Sequence, residues 1–320
     1  MAGFQTIGQS HIRVDALDKV TGKATYAGDV YLPGMLMCKL LVSTHSHARI
    51  ISIDTSAAEE LPGVRAVITG RDYPDARFGS GALKDRRVMA VDEVFYIGEP
   101  VAAVAADDEM TALDAVGLIK VEYQDIQNVV DPLEAISGRS VDVHPNLGDF
   151  EGFGFALGGN NCTMLDADRG DVEQGFKEAD VIVEKETVTS PVHQGYIEPQ
   201  NGAAMWNRDD SVTVWCSTQG AFSARDALAP ILNLPVSKIK VVPMEIGGGF
   251  GGKIPIYLEP LAALLSKKTG QTVKMVMSRE DVFRSTGPTS GAMYVIRYSS
   301  GSTLSSSTGP KTSSVGSRGT

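Results

Sequence analysis

The residues best suited to chemistry are Gly247, Gly248, Gly249, Phe250, Gly251, Gly252 and Lys253, five glycines around one phenylalanine and closed by a lysine. Glycines permit positive φ and let backbone N–H groups approach a ligand closely. Consecutive N–H groups near a helix start make an anion site. The run KIKVVPM at 238–244 predicts a strand that delivers the chain into this motif, and EPLAALLSKKTG at 259–270 predicts the helix that follows it, with Gly270 as C-cap. Such a motif suits a phosphate, a pterin edge or an oxygen bound to a metal. Gly247, Gly252 and Lys253 also fit the nucleotide-binding spacing G-x-x-x-x-G-K, but that pattern then needs Ser or Thr to hold magnesium, and residue 254 is Ile.

Other chemistry-bearing side chains give weaker signals. His193 and Glu198 fall in a turn with no third ligand at suitable spacing, so no metal site is assigned. His45 and His47 alternate after a strand and read as a surface turn. Tyr196 and Phe250 fit a substrate funnel or core packing equally well. Cys38, Cys162 and Cys216 are odd in number, far apart and outside any CxxC pair, so the chain carries no disulfide framework, zinc ribbon or iron–sulfur ligand set of its own. They read as small buried side chains.

The elements that must position these residues follow an α+β order. Strands are expected at 35–43, 49–54, 64–69 and within 94–107. A short helix over 56–61 has Thr55 or Ser56 as N-cap. A second helix follows at 109–119, then a strand at 120–124. Residues 137–171 read as a linker or crossover, too long and too rich in Gly and Asn to be an ordinary loop. Beyond it, 179–190 alternates like a half-buried strand, and strands at 202–207, 211–218, 238–244 and 272–278 surround helices at 221–233 and 259–270. From 299 to 320, seventeen of 22 residues are Ser, Thr or Gly, which predicts a disordered tail.

A net charge of −10 and scattered Lys and Arg argue against nucleic-acid binding. No export signal and no membrane-length apolar run is present, so the expected location is the cytoplasm.

Several ordered segments together resemble one family. STQ at 217–219, LPVSKIKVVP at 234–243 and the glycine motif are similar to the molybdopterin-binding subunit of the xanthine dehydrogenase and aldehyde oxidoreductase family, with its carbon monoxide dehydrogenase and hydroxybenzoyl-CoA reductase branches. RVDALDKVTGKATYAGDV (13–30), LPGML (32–36), STHSHARIISID (43–54), LPGVRAVIT (61–69) and YIGEPVAAVAAD (96–107) resemble its N-terminal α/β hammerhead domain. HQGYIEPQ (193–200) and MSREDVFRSTGPTSG (277–291) resemble segments of the domain that follows. The resemblance spans about residues 7–297.

It implies a hammerhead domain at 1–135, a crossover at 136–175, a partial molybdopterin-binding domain at 176–298 and the tail at 299–320. It implies a molybdenum–molybdopterin cofactor, or its cytidine dinucleotide form, held by Gln219, Gly248, Gly249, Phe250, Gly251 and Gly252, with no direct protein ligand to the metal. Gln219 would donate to the apical oxo group. Iron–sulfur and FAD centres would lie on small and medium partner subunits of a hetero-oligomer. Ile254 stands where some members place a substrate-orienting glutamate, which disfavours a purine and leaves open an aldehyde, an aromatic acyl thioester, carbon monoxide or another N-heterocycle. The base that acts in the family lies in a later segment, so no catalytic residue is assigned. The expectation is therefore a truncated or frame-shifted chain with little cofactor binding and no turnover alone. The alternatives are a non-catalytic docking or assembly fragment and a P-loop-like nucleotide-binding protein.

Overall fold

The computed structural model describes residues 6–79, 86–144, 159–161, 169–300 and 312–316. The first stretch contributes α1 (Ala16–Val20), β1 (Leu36–Val42), β2 (Ala48–Asp54), α2 (Ser56–Glu59), β3 (Val64–Thr69) and β4 (Arg77–Phe78). Next come β5 (Arg86–Arg87), β6 (Glu93–Val94), β7 (Pro100–Ala106), α3 (Glu109–Leu118), β8 (Lys120–Asp125) and α4 (Pro132–Ile136). The remainder supplies α5 (Val172–Lys177), β9 (Val181–Thr189), β10 (Asn201–Trp206), β11 (Val212–Cys216), α6 (Ala221–Leu232), β12 (Ile239–Pro243), α7 (Glu259–Thr269), β13 (Val273–Val276), α8 (Arg279–Ser285), β14 (Ala292–Ser300) and β15 (Thr312–Gly316).

One seven-stranded sheet organises the molecule, in the order β12-β11-β10-β13-β1-β7-β3. Its middle joint is a parallel pairing of β1 with β13, Leu36 opposite Val273. The sheet therefore runs across the boundary between the two units expected from the sequence. Residues 101–106 of β7 are all Val or Ala and all fully buried. Small side chains on both faces of a strand let helices pack closely on each side. Ala103 and Ala105 face a core shared with Leu261, Leu264 and Leu265 of α7. Ala102 and Val104 face a second core with Ala58 of α2 and Ala115 of α3. Residues 259–266 of α7 are buried throughout, and Gly270 ends the helix at φ +69° as its C-cap.

Three smaller sheets surround this core: β6-β2-β8, β15-β14-β9 and the pair β4-β5. Several expectations change here. Thr55 is the N-cap residue of α2, as expected, but its side chain makes no capping hydrogen bond. The Asp54 carboxylate accepts from both the backbone N and the hydroxyl of Ser56 instead. His47 is buried, not a surface turn residue: its ring nitrogens bond the Gln127 carbonyl and Glu93, and it stacks on Phe95. The strand expected to be half-buried, β9, is exposed at all nine positions, because it pairs with β14 and no layer covers either face among the described residues. Of the tail, 312–316 pair antiparallel with β14, and 301–311 and 317–320 lie outside the described residues. So do Cys162 and most of the glycine-rich crossover. No helix among the described residues is long and apolar enough to cross a membrane.

Candidate functional site

The glycine motif turns out of β12 as an open bend between two anchors. The helix predicted over 259–270 is present as α7, and it does not start at the end of the motif itself. Proline disfavours helical backbone at the residue before it, and Ile254 precedes Pro255. The first turn of α7 waits until Glu259, so the bend must order its own amides without a helix terminus.

Each glycine has a local reason. A Cβ on Gly247 would lie 2.6 Å from the Glu198 Cβ, and one on Gly252 would lie 2.7 Å from the Tyr196 ring. A Cβ on Gly249 would meet the Gln219 Oε1 at 2.6 Å. Gly248 and Gly251 adopt φ of +99° and +91°, where a side chain is strained. Phe250 itself sits at φ +49° with its ring 73% exposed. Backbone strain of this kind at a non-glycine residue costs on the order of 1–3 kcal/mol and needs surrounding structure to hold it.

Gln219 stands directly against the bend. Its side-chain Oε1 accepts from the Gly251 N at 2.9 Å and the Lys253 N at 3.3 Å. Its own backbone N donates to the Lys253 carbonyl at 2.9 Å. The Nε2 amide makes no bond among the described residues. The N–H groups of Gly248, Gly249 and Phe250 likewise have no partner among the described residues. Gly252 is different: its N–H is spent on the Gly249 carbonyl and its carbonyl accepts from Gln200 Nε2, so it faces inward. The structure thus gathers Gln219, Gly248, Phe250 and Gly251 at one surface, with Gly249 and Gly252 buried beneath it.

The underside holds residues that the sequence reading did not assign. Lys253 is 1% exposed. Its ammonium donates to Glu198 Oε2 at 2.6 Å and to Ser217 Oγ at 3.0 Å, and lies 5.0 Å from the centre of the Tyr196 ring. The same Glu198 oxygen accepts from the Ser217 hydroxyl and the Gly247 N, and the other accepts from Asn201. Burial alone would raise the Glu198 carboxyl. The hydrogen bonds from Asn201, Lys253, Gly247 and Ser217 outweigh it and hold the group below its ordinary range. Burial pulls the Lys253 ammonium down, against the Glu198 carboxylate that supports its charge. This geometry removes the nucleotide-loop reading. The lysine of such a loop must reach a phosphate, and the Lys253 head is sealed beneath the bend on a carboxylate.

Tyr196 is core, not funnel lining, being 1% exposed with its hydroxyl shared between Thr286 and Gln200. His193 bonds Thr286 and the Gly195 N. Arg279 of α8 donates to the carbonyls of Tyr196 and Ile197, fixing the turn that presents Glu198. Nothing in the sequence relates Glu198 to a lysine 55 residues later. The available signal was Lys253 itself, at the end of a motif whose magnesium residue is missing.

Phe250 is the exposed residue of the bend, and Gln219 is exposed beside it. A cavity of about 300 Å³ lined by Arg71, Asp72 and Lys268 and another of about 410 Å³ lined by Trp206, Arg208 and Gln271 include none of the bend's residues. What it offers is a set of neutral N–H donors. Neutral N–H donors can receive oxygen or ring-nitrogen acceptors of a ligand without adding charge.

Two family models match the chain. Residues 156–303 match the molybdopterin cofactor-binding domain, and residues 21–127 match the a/b hammerhead domain of aldehyde oxidase and xanthine dehydrogenase. The chain is 36% identical over 277 residues to a probable xanthine dehydrogenase subunit of Bacillus subtilis, covering 86% of this chain and 35% of that protein. It is 34% identical over 279 residues to the nicotinate dehydrogenase large molybdopterin subunit of Eubacterium barkeri, covering 87% and 63%. Among solved structures, CO dehydrogenase from Oligotropha carboxidovorans superposes with a TM-score of 0.81 at 29% identity, over 92% of this chain and 38% of that one. The chain thus spans between about a third and two thirds of the length of these relatives.

Proposed function

The chain belongs to the xanthine dehydrogenase and aldehyde oxidase family, and we propose that its glycine bend and Gln219 form one wall of a molybdopterin-cofactor site in an oxidoreductase. The observation that carries this reading is the orientation of Gln219. Two backbone N–H groups hold its oxygen inward, which turns the amide N–H outward beside Gly248 and Phe250. When bound, the molybdenum–pterin group supplies two-electron redox chemistry. Gln219 and the backbone of residues 248–251 would hold acceptor atoms of that group, and the exposed Phe250 ring would exclude water beside it.

The domain assignment that goes with this reading is a hammerhead unit at 1–135, a crossover at 136–175 and the first part of the cofactor-binding domain at 176–298. The cofactor is molybdenum–molybdopterin or its cytidine dinucleotide. Iron–sulfur and FAD subunits complete a cytoplasmic hetero-oligomer. Ile254 favours an aldehyde, an aromatic acyl thioester, carbon monoxide or another N-heterocycle over a purine.

The test is metal and pterin analysis of the assembled complex, purified from its native host by a tag on this chain. Molybdenum and pterin near one per chain are expected, with both lost when Gln219→Glu replaces the outward donor by an acceptor. A complex free of molybdenum sinks the reading and leaves a docking or assembly role. The same analysis of the chain alone should find little of either.

A further inference from the structure

One carboxylate grips both ends of the glycine bend. Glu198 Oε2 accepts the N–H of Gly247, the first residue of the bend, at 2.7 Å and the ammonium of Lys253, the last, at 2.6 Å. Ser217 ties the two together, donating to Glu198 and accepting from Lys253. Lys253 in turn meets Gln219 twice, through its backbone N–H on Oε1 and its carbonyl on the Gln219 N. A primary carboxamide has two orientations of nearly the same shape and opposite polarity. Only the one with oxygen inward satisfies the Gly251 and Lys253 amides.

We infer that Glu198 and Lys253 are positioning residues that set which end of the Gln219 carboxamide faces outward. This inference rests on the cofactor-wall reading for its purpose, though not for its geometry. A buried ion pair is a weak device for stability, since an apolar pair of similar volume commonly does as well or better. It is a good device for fixing backbone register, because each charge demands its partner at hydrogen-bond distance. Here the register being fixed is that of residues 247 and 253, and the N–H of residue 253 reads it out to Gln219. With the pair broken, the carboxamide is free to turn, and an outward oxygen would repel the acceptor atoms that an outward amide N–H attracts.

Amide hydrogen exchange resolved to single residues on the full chain tests the geometry without cofactor. Glu198→Gln keeps the shape and removes the charge. Exchange at Gly251 and Lys253 should quicken by roughly tenfold, about one hydrogen bond's worth, while residues 101–106 of β7 keep their wild-type protection. If that variant does not fold, Ser217→Ala removes one link and should quicken the same two amides by about threefold. Unchanged exchange at Gly251 and Lys253 overturns the inference. So does equal quickening in β7, which would mean a general loss of stability. Gln219→Glu separates the two claims, because it keeps an inward oxygen and changes only the outward atom. It should leave both amides protected while the complex loses molybdenum and pterin. Retained cofactor in that variant, with the exchange results as expected, removes the cofactor reading and leaves the positioning intact.

Discussion

Gly98 and Gly249 both refuse a Cβ, for opposite reasons. At Gly98 the added atom would sit 2.2 Å from the backbone carbonyl oxygen of Arg284, at φ +98°. Neither neighbour can move without shifting α8, which also carries Arg279 and so the turn before Glu198. At Gly249 the added atom would meet the end of one flexible, exposed side chain, Gln219. The first glycine joins the β7 region to α8. The second leaves room for a carboxamide to face a ligand. Close packing of a glycine therefore means architecture when the neighbour is backbone, and invites a functional reading when the neighbour is a polar side chain.

The contrast can be broken in four places. Lys253→Met should do the most damage, about 3–5 kcal/mol in chemical denaturation, because it leaves Glu198 buried and unpaired. An unchanged midpoint would show that the pair contributes nothing. Gly98→Ala should follow, at about 3 kcal/mol from positive φ and backbone overlap together. If it proved as mild as Gly249→Ala, the distinction drawn above would fail.

Glu99 sharpens the same comparison through pH. Burial raises its carboxyl from 4.5 to about 7, only partly offset by the Phe95 N–H that it accepts. A raised carboxyl holds its proton more tightly in the folded chain. Its favourable contribution is full below 4.5 and is lost as pH rises through about 7. Glu99→Gln keeps the acceptor and should gain on the order of 2 kcal/mol at neutral pH. It should also flatten the stability–pH curve between those values, and a curve that kept its slope would assign it to another group. The smallest stability effect belongs to Gly249→Ala, about 1 kcal/mol, with the Gly251 amide losing its Gln219 partner in exchange measurements. Retained protection there would place Gln219 elsewhere.

Local pattern made much of this legible. The all-small run of β7, the apolar face and glycine stop of α7, and the strand before the bend are each set by residues close in sequence. The bend and Gln219 were legible as a pair only through family resemblance, and the structure places them in contact. The exposure of β9 was not legible, because alternation reports that a strand has two faces and not whether anything covers them. The Glu198–Lys253 pair was hidden for a related reason. Its partners are fixed by the register of strands far apart in the chain, and a lysine at the end of a glycine loop looks the same whether its head is free or buried.

The parallel pairing of β1 with β13 bears on how the chain is made. Lys39 on β1 reaches the carbonyl of Val276, the last residue of β13, 237 residues away. At about 5–20 residues per second, a ribosome needs roughly 10–50 s to deliver the second strand after the first. Through that interval one edge of β1 has no strand to pair with, and such edges recruit other chains. Nascent protein should therefore depend on chaperone protection more than its helix content suggests. Separating the hammerhead region for expression would make that transient liability permanent.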